Sequence, residues 1–94
     1  MIGSSNGRRK KVSFEFVAGA DANVYVAGTF NRWDPKATPL MRRKGAAGTY
    51  HRTLMLSQGT YEYRFVVNDQ WQTDPKNPQV RPNGIGSVNN VISV

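Results

Sequence analysis

The chain has 94 residues, with 13 Lys and Arg against 6 Asp and Glu, a net charge of +7 and no cysteine. That length allows one hydrophobic core but not a core plus a deep catalytic cleft and a separate cofactor domain, and the lack of cysteine excludes disulfides and thiolate metal sites. Hydrophobic residues at 38% and aromatics at 11% argue against disorder. No window approaches the roughly 18 apolar residues that span a bilayer, so the expectation is a soluble, cytoplasmic protein with no membrane partner.

Met1 to Gly7 carries no apolar stretch of the signal-peptide kind. Arg8-Arg9-Lys10-Lys11 follows, and residues 1–11 read as a flexible basic arm ahead of a folded module over 12–94. Without the arm's four cations the module holds nine basic against six acidic side chains, too modest and scattered an excess to argue for nucleic acid. The arm itself suits either a solubilising tail or docking to an acidic partner.

Val12-Ser13-Phe14-Glu15-Phe16 alternates at period two, as does Asn23 to Ala27, and both predict strands. Residues 28–39 hold Gly28, Asn31, Asp34, Pro35 and Pro39, which mark a loop, and Pro39 to Arg42 suits a short edge strand. After the turn at Gly45 to Gly48, Thr49 to Leu56 predicts a strand. Ser57-Gln58-Gly59 turns the chain into Thr60 to Val67, the most β-prone run. Asp74 to Gly86, with three prolines and two glycines, reads as an irregular crossing before a last strand over Val88 to Val94. About seven short strands without helical periodicity predict an all-β, immunoglobulin-like antiparallel sandwich.

The segment around Asn68-Asp69 allows a sharper reading. A two-residue loop there sets Val67 opposite Gln70, Val66 opposite Trp71 and Arg64 opposite Thr73, and opposed residues share a face. Tyr61, Tyr63, Phe65 and Val67 then form the core side, leaving Arg64, Val66 and Trp71 on the other. A four-residue loop keeps that parity and a three-residue loop turns Trp71 inward. Gln70 and Gln72 would point to the core side, which is tolerable only near a sheet edge. If the last stretch is extended, Ile85, Ser87 and Asn89 line one face.

The two tryptophans are the most informative residues. Trp33 lies in the turn-like run Phe30-Asn31-Arg32-Trp33-Asp34-Pro35 and Trp71 just past a polar turn, positions that suit a contact surface better than a core. Two plainer readings compete: Trp33 as a plug over the end of the sandwich, and Trp71 as a cross-strand partner of Val66. Phe14, Phe16, Tyr61, Tyr63 and Phe65 are assigned to the core, with Phe30 beneath the loop of Trp33.

Gly28-Thr29-Phe30-Asn31-Arg32-Trp33, Tyr61 to Trp71, Asp74-Pro75 and Gly86-Ser87-Val88-Asn89-Asn90-Val91 occur in an order that resembles family 48 of the carbohydrate-binding modules. That family includes the glycogen-binding domain of the AMP-activated protein kinase β subunit and modules of branching and debranching enzymes. The likeness spans roughly residues 12–94. It implies that Trp33 and Trp71 form a sugar-stacking platform, and that Arg64 stands where the family has a hydroxyl-binding lysine. It also implies that Ile85, Ser87 and Asn89 stand for the family's leucine, threonine and amide. The implied ligand is an α-1,4-linked glucan such as glycogen or starch, bound without chemistry.

The six carboxylates fall singly along the chain, and His51 has no cysteine or Gly-x-Ser-x-Gly motif beside it, so paired-carboxylate hydrolysis and nucleophilic catalysis are not expected. No catalytic residue, cofactor or metal is assigned. The expected function is non-catalytic glucan binding through Trp33, Arg64, Trp71, Ile85, Ser87 and Asn89. The alternative is a scaffolding module that joins a kinase or a glucan-processing enzyme.

Overall fold

Period-two alternation is the signal that builds this molecule, and it yields strands from end to end of the described chain. The computed structural model describes residues 9–46 and 48–94. In chain order these form β1 (Arg9–Val17), β2 (Val24–Gly28), a 3₁₀ turn (Thr29–Asn31), β3 (Met41–Arg42), β4 (Thr49–Ser57), β5 (Thr60–Val67), β6 (Gln70–Gln72), β7 (Val80–Pro82) and β8 (Val88–Ser93). One antiparallel sheet has the order β1-β4-β3, the other β2-β5-β8-β7 with β6 also on β5. The fold is thus the expected all-β sandwich, with eight strands among the described residues.

Two boundaries differ from the sequence reading. β1 begins at Arg9, because β4 continues to Ser57 and gives Arg9, Lys10 and Lys11 partners in Ser57, Leu56 and Met55; pairing satisfies their backbone while their charged ends stay in water. The rest of the expected arm, residues 1–8, lies outside the described residues. The crossing expected over 74–86 contains β7, whose Val80, Arg81 and Pro82 pair with Asn90, Asn89 and Val88. Proline fits there because β7 is an edge strand.

The core lies between the sheets. Phe14 and Phe16 of β1 and Tyr50 of β4 face Val24 and Val26 of β2 and Tyr63, Phe65 and Val67 of β5. Phe14 meets Tyr63 edge-on with centroids 5.0 Å apart, and Phe16 meets Phe65 at 4.9 Å. Each ring of this kind contributes about 1.5–3 kcal/mol on burial. The aromatic row assigned to the core from β5 alternation is therefore inward, with Tyr61 only half-buried at its rim.

A polar knot closes this core at the end nearest β8. Asn90 is fully buried; its Oδ1 accepts from the Asp74 amide at 2.7 Å and its Nδ2 donates to the carbonyls of Asp74 and Asn77. The Tyr63 hydroxyl donates to Asp74 Oδ2 at 2.7 Å. Burial, and then this hydrogen bond, pushes the Tyr63 hydroxyl well above the ordinary tyrosine range. A raised folded value means that this contribution to stability is complete below the unfolded pKa of about 10 and is lost as pH rises further. Asn90→Ala leaves several buried backbone groups unpaired and is expected to cost about 2–3 kcal/mol, read by chemical denaturation; an unchanged midpoint would contradict the knot.

Candidate functional site

β5 fixes the site because it has neighbours on both edges. β2 runs along one edge, with Tyr25 opposite Val66 and Ala27 opposite Arg64. Along the other edge β8 pairs with Thr60 to Tyr63, and β6 follows, pairing with Phe65 to Val67. Glu62, Arg64 and Val66 alternate with the core residues and so stand on the outer face of this sheet. Arg64 sits where β8 gives way to β6.

The β5–β6 hairpin turns on two residues. Asn68 and Asp69 have φ of 49° and 68°, the left-handed pair of a type I′ turn that matches strand twist. Asparagine and aspartate tolerate this conformation. Asn68 also anchors the tip, accepting from the Asn23 amide through its side chain and donating its own amide to the Asn23 carbonyl, both at 2.9 Å. The register is the one predicted: Val67 opposite Gln70 and Val66 opposite Trp71. Gln70 and Gln72 are exposed, as an edge allows. Val66 is buried although it faces outward, lying between the opposed Tyr25 and Trp71. Trp71 packs across the strand and still keeps 41% of its surface open.

The loop after β2 carries the second indole. Asn31 braces it: its Oδ1 accepts from the Gly28 amide, and its Nδ2 donates to the Val26 carbonyl and Thr38 Oγ1, each at 3.0 Å. Arg32 and Trp33 then both take left-handed backbone, φ 60° and 59°, a conformation that costs a side-chain-bearing residue about 1 kcal/mol or more. The Trp33 amide donates to the Gly28 carbonyl at 2.9 Å. Phe30 packs on Phe14 with centroids at 5.5 Å, beneath the loop as expected. Strain held by so many bonds places the half-buried Trp33 ring beside Trp71, centroids 6.3 Å apart and planes tilted by 46°. An exposed ion pair, Lys36 to Asp69 at 3.1 Å, links this loop to the hairpin tip.

A groove of about 370 Å³ opens on this face, lined by Trp33, Arg64, Trp71, Asn83, Ile85 and Asn89. Five of the six residues singled out from sequence thus meet. Ser87 is not in the lining. The extended strip expected over Ile85, Ser87 and Asn89 is broken because Gly84 and Gly86 take φ of 84° and 89°, which turns the segment into a loop and ends its alternation. Ser87 instead closes the loop through its backbone, its carbonyl accepting from the Asn83 amide at 3.0 Å.

Asn83 is the residue that sequence reasoning missed. Its Oδ1 accepts from the amides of Ile85 at 3.0 Å and Ser87 at 3.2 Å, so one side chain shapes the loop that holds Ile85 out, 85% exposed. An asparagine between Pro82 and Gly84 signals a turn, and that was the only sequence cue.

Polar groups in the groove are set by their neighbours. The Arg64 guanidinium lies 5.9 Å from the Trp71 ring, in cation–π range. Its Nε is buried and has no hydrogen-bond partner among the described residues. Asn89 donates its Nδ2 to Glu62 Oε1 at 3.0 Å, and the other Glu62 oxygen holds Arg81 at 3.0 Å. This leaves Asn89 Oδ1 as the free acceptor of its amide. The groove therefore offers two indoles, an aliphatic tip, a guanidinium and an amide acceptor. Among the described residues no cluster of three His, Cys, Asp or Glu could hold a metal, and no helix is long and apolar enough to cross a membrane.

Comparison with known proteins bears on this arrangement. A model of the family described as the glycogen recognition site of AMP-activated protein kinase matches residues 11–94. The chain is 37% identical over 76 residues to the pig 5′-AMP-activated protein kinase subunit β-1, covering 81% of this chain and 57% of that one. It is 38% identical over 76 residues to the bovine β-1 subunit and 35% identical over 71 to the mouse β-2 subunit. These alignments cover 81% and 76% of this chain but only 26% and 24% of those proteins. The chain therefore belongs to the carbohydrate-binding family of the AMP-activated protein kinase glycogen recognition domain.

Proposed function

We propose that this module binds α-1,4-linked glucan, glycogen or starch-like, without catalysing any reaction on it, in the groove between Trp33, Trp71 and Ile85. The observation that carries the reading is the convergence of two indoles from separate loops, one of them held in strained backbone, on a face that also carries the Arg64 guanidinium. A glucose ring has C–H bonds on its face and hydroxyls around its rim. The indoles and Ile85 suit the face, while the Arg64 guanidinium, Asn89 Oδ1 and the Asn83 side-chain amide suit the rim. The tilt between the indoles favours a curved chain over a flat one, because each ring meets a sugar inclined to the next. Ser87 serves the site through the backbone of the Asn83 loop.

Covering about 100 Å² of Trp71 gives about 2.5 kcal/mol at roughly 25 cal/mol/Å², and the half-buried Trp33 gives less. After the cost of ordering the sugar, affinity is about micromolar to millimolar. Co-sedimentation with glycogen, competed by free maltoheptaose and insensitive to salt, is the expected result. Failure to sediment at any glycogen concentration would refute the reading. It would favour a scaffolding module for a kinase or a glucan-processing enzyme, a reading supported by the match to one part of much longer kinase subunits.

Asn83→Ala provides a finer check. It removes the acceptor for two loop amides and is expected to weaken maltoheptaose about fivefold to tenfold by calorimetry while the fold stays intact. Unchanged affinity would mean that Ile85 needs no such support.

A further inference from the structure

The positive charge of this chain is segregated. Within residues 9–17 and 41–57, which make up β1, β3, β4 and the turn between β3 and β4, there are seven basic residues and one acidic residue, Glu15. The other described residues hold five basic and five acidic side chains. The strands and connections around the sugar groove are therefore electrically balanced, and the excess lies on the other sheet and the turn between β3 and β4. Glu15 is itself engaged by Lys76 at 3.0 Å and Arg43 at 3.3 Å.

This charge sits at an open strand edge. Among the described residues β1 pairs only with β4, so the other edge of a nine-residue strand has no ladder partner. Lys76 reaches across it at Glu15, leaving Arg9 to Ser13. Beside that stretch a groove of about 250 Å³ is lined by Lys10, Lys11 and Val12 from β1, by Ile92 and Ser93 at the end of β8, and by Val94 just after it. The apolar lining residues and the lysines belong to one depression. A long open edge is a template for another strand, and lysines along it repel a second copy of the same chain. The same lysines attract an acidic one.

We propose that the edge of β1 over Arg9 to Ser13 receives an extended acidic segment of a partner protein, which adds as a strand with its carboxylates at the lysines and its alternate apolar side chains in the groove. Strand addition supplies backbone hydrogen bonds, and side chains at every second position supply the selectivity. Nucleic acid is the weaker candidate: a phosphate backbone makes no use of an unpaired ladder edge or of Val12, Ile92 and Val94. Because this edge belongs to the other sheet, glucan and the acidic segment can be bound together.

The test uses the whole chain and a short, fluorescently labelled peptide of alternating glutamate and valine, followed by anisotropy. Binding is expected, weakening at least about tenfold between low and physiological salt. Lys10→Glu/Lys11→Glu should lose it by a further tenfold or more while still sedimenting with glycogen, which shows that the variant is folded and keeps the two sites distinguishable. Lys10→Gln/Lys11→Gln should fall between the two. A peptide methylated on alternate backbone nitrogens should not bind. The proposal is overturned if the charge-reversed variant binds the peptide as tightly as the parent, if the methylated peptide binds equally, if single-stranded DNA of matched charge binds as well as the peptide, or if the parent alone is a dimer closed through this edge.

Discussion

Replacing Trp33 and Trp71 together by alanine is expected to abolish measurable binding of maltoheptaose and glycogen while leaving the sandwich folded. Trp71 has 41% of its surface open, so losing it alone removes about 2.5 kcal/mol of apolar contact, roughly a fiftyfold loss of affinity. Trp33→Ala should cost less through lost contact area, yet its ring lies 6.3 Å from Trp71, so each substitution also frees the other ring to move. The pair should therefore depart from additivity. Calorimetry on the two single variants and the double variant, with denaturation curves as a folding control, reads this directly. A folded double variant that binds as the parent does would remove the indoles from the site. Trp71→Ala should also lower stability by about 1 kcal/mol, because Val66 beneath it becomes wet.

Gly28→Ala should be the most damaging glycine-to-alanine change among the described residues. A Cβ at this position would run into the Glu62 carbonyl oxygen and lie 2.7 Å from the Phe30 ring and 2.9 Å from Tyr63 Cβ. Two of these three obstacles belong to β5 and one to the ring beneath the tryptophan loop, so relief needs β2 and β5 to part or Phe30 to leave Phe14. Overpacking of this kind costs about 3 kcal/mol, or roughly 15 °C in Tm for a domain of this size. Gly19→Ala is the internal control: its Cβ would meet nothing within 4 Å, and its melting point should stay within a few degrees of the parent. A Gly28→Ala protein that melts with the parent would mean that the two strands approach less closely than described. Because Phe30 supports the loop of Trp33, the variant should also bind glucan more weakly than its folded fraction explains.

Most of the architecture was legible because each of the longer strands, β1, β2, β4, β5 and β8, sets buried residues on one face. Phe14 and Phe16, Tyr63 and Phe65, and Val24 and Val26 stand two apart, and a one-residue slip in any of these strands would expose the core set. The Asn68-Asp69 hairpin was legible for the same reason, since its register decides which face Trp71 joins. Segments without alternation were not. Gly84 and Gly86 leave residues 83–87 free to turn, so parity gave the wrong company for Ser87, and the bracing role of Asn83 depends on backbone amides that no side-chain pattern reveals. The start of β1 was obscured because Arg9, Lys10 and Lys11 resemble a solvated tail, whereas their pairing is dictated by the length of β4 opposite. Val66 was read correctly as outward, but its burial depends on Tyr25 and Trp71, which come from strands on either side. The groove followed the same division: Trp33, Arg64, Trp71, Ile85 and Asn89, singled out from sequence, line it, whereas the tilt of the rings and the buried Arg64 Nε, unpartnered among the described residues, depend on packing that no pattern shows.

In the proposed mode of binding a saccharide lies across both indoles and Ile85 on the outer face of β5. Titrating the labelled chain with maltoheptaose while following the two indole Nε1–H signals and the Ile85 methyl signals tests it most directly. All of these should move together along one saturable curve, with the Arg64 side-chain N–H shifting alongside and Lys10 and Lys11 unaffected. Saturable shifts that leave both indoles and Ile85 in place, or that appear on β1 and β4 instead, would contradict it.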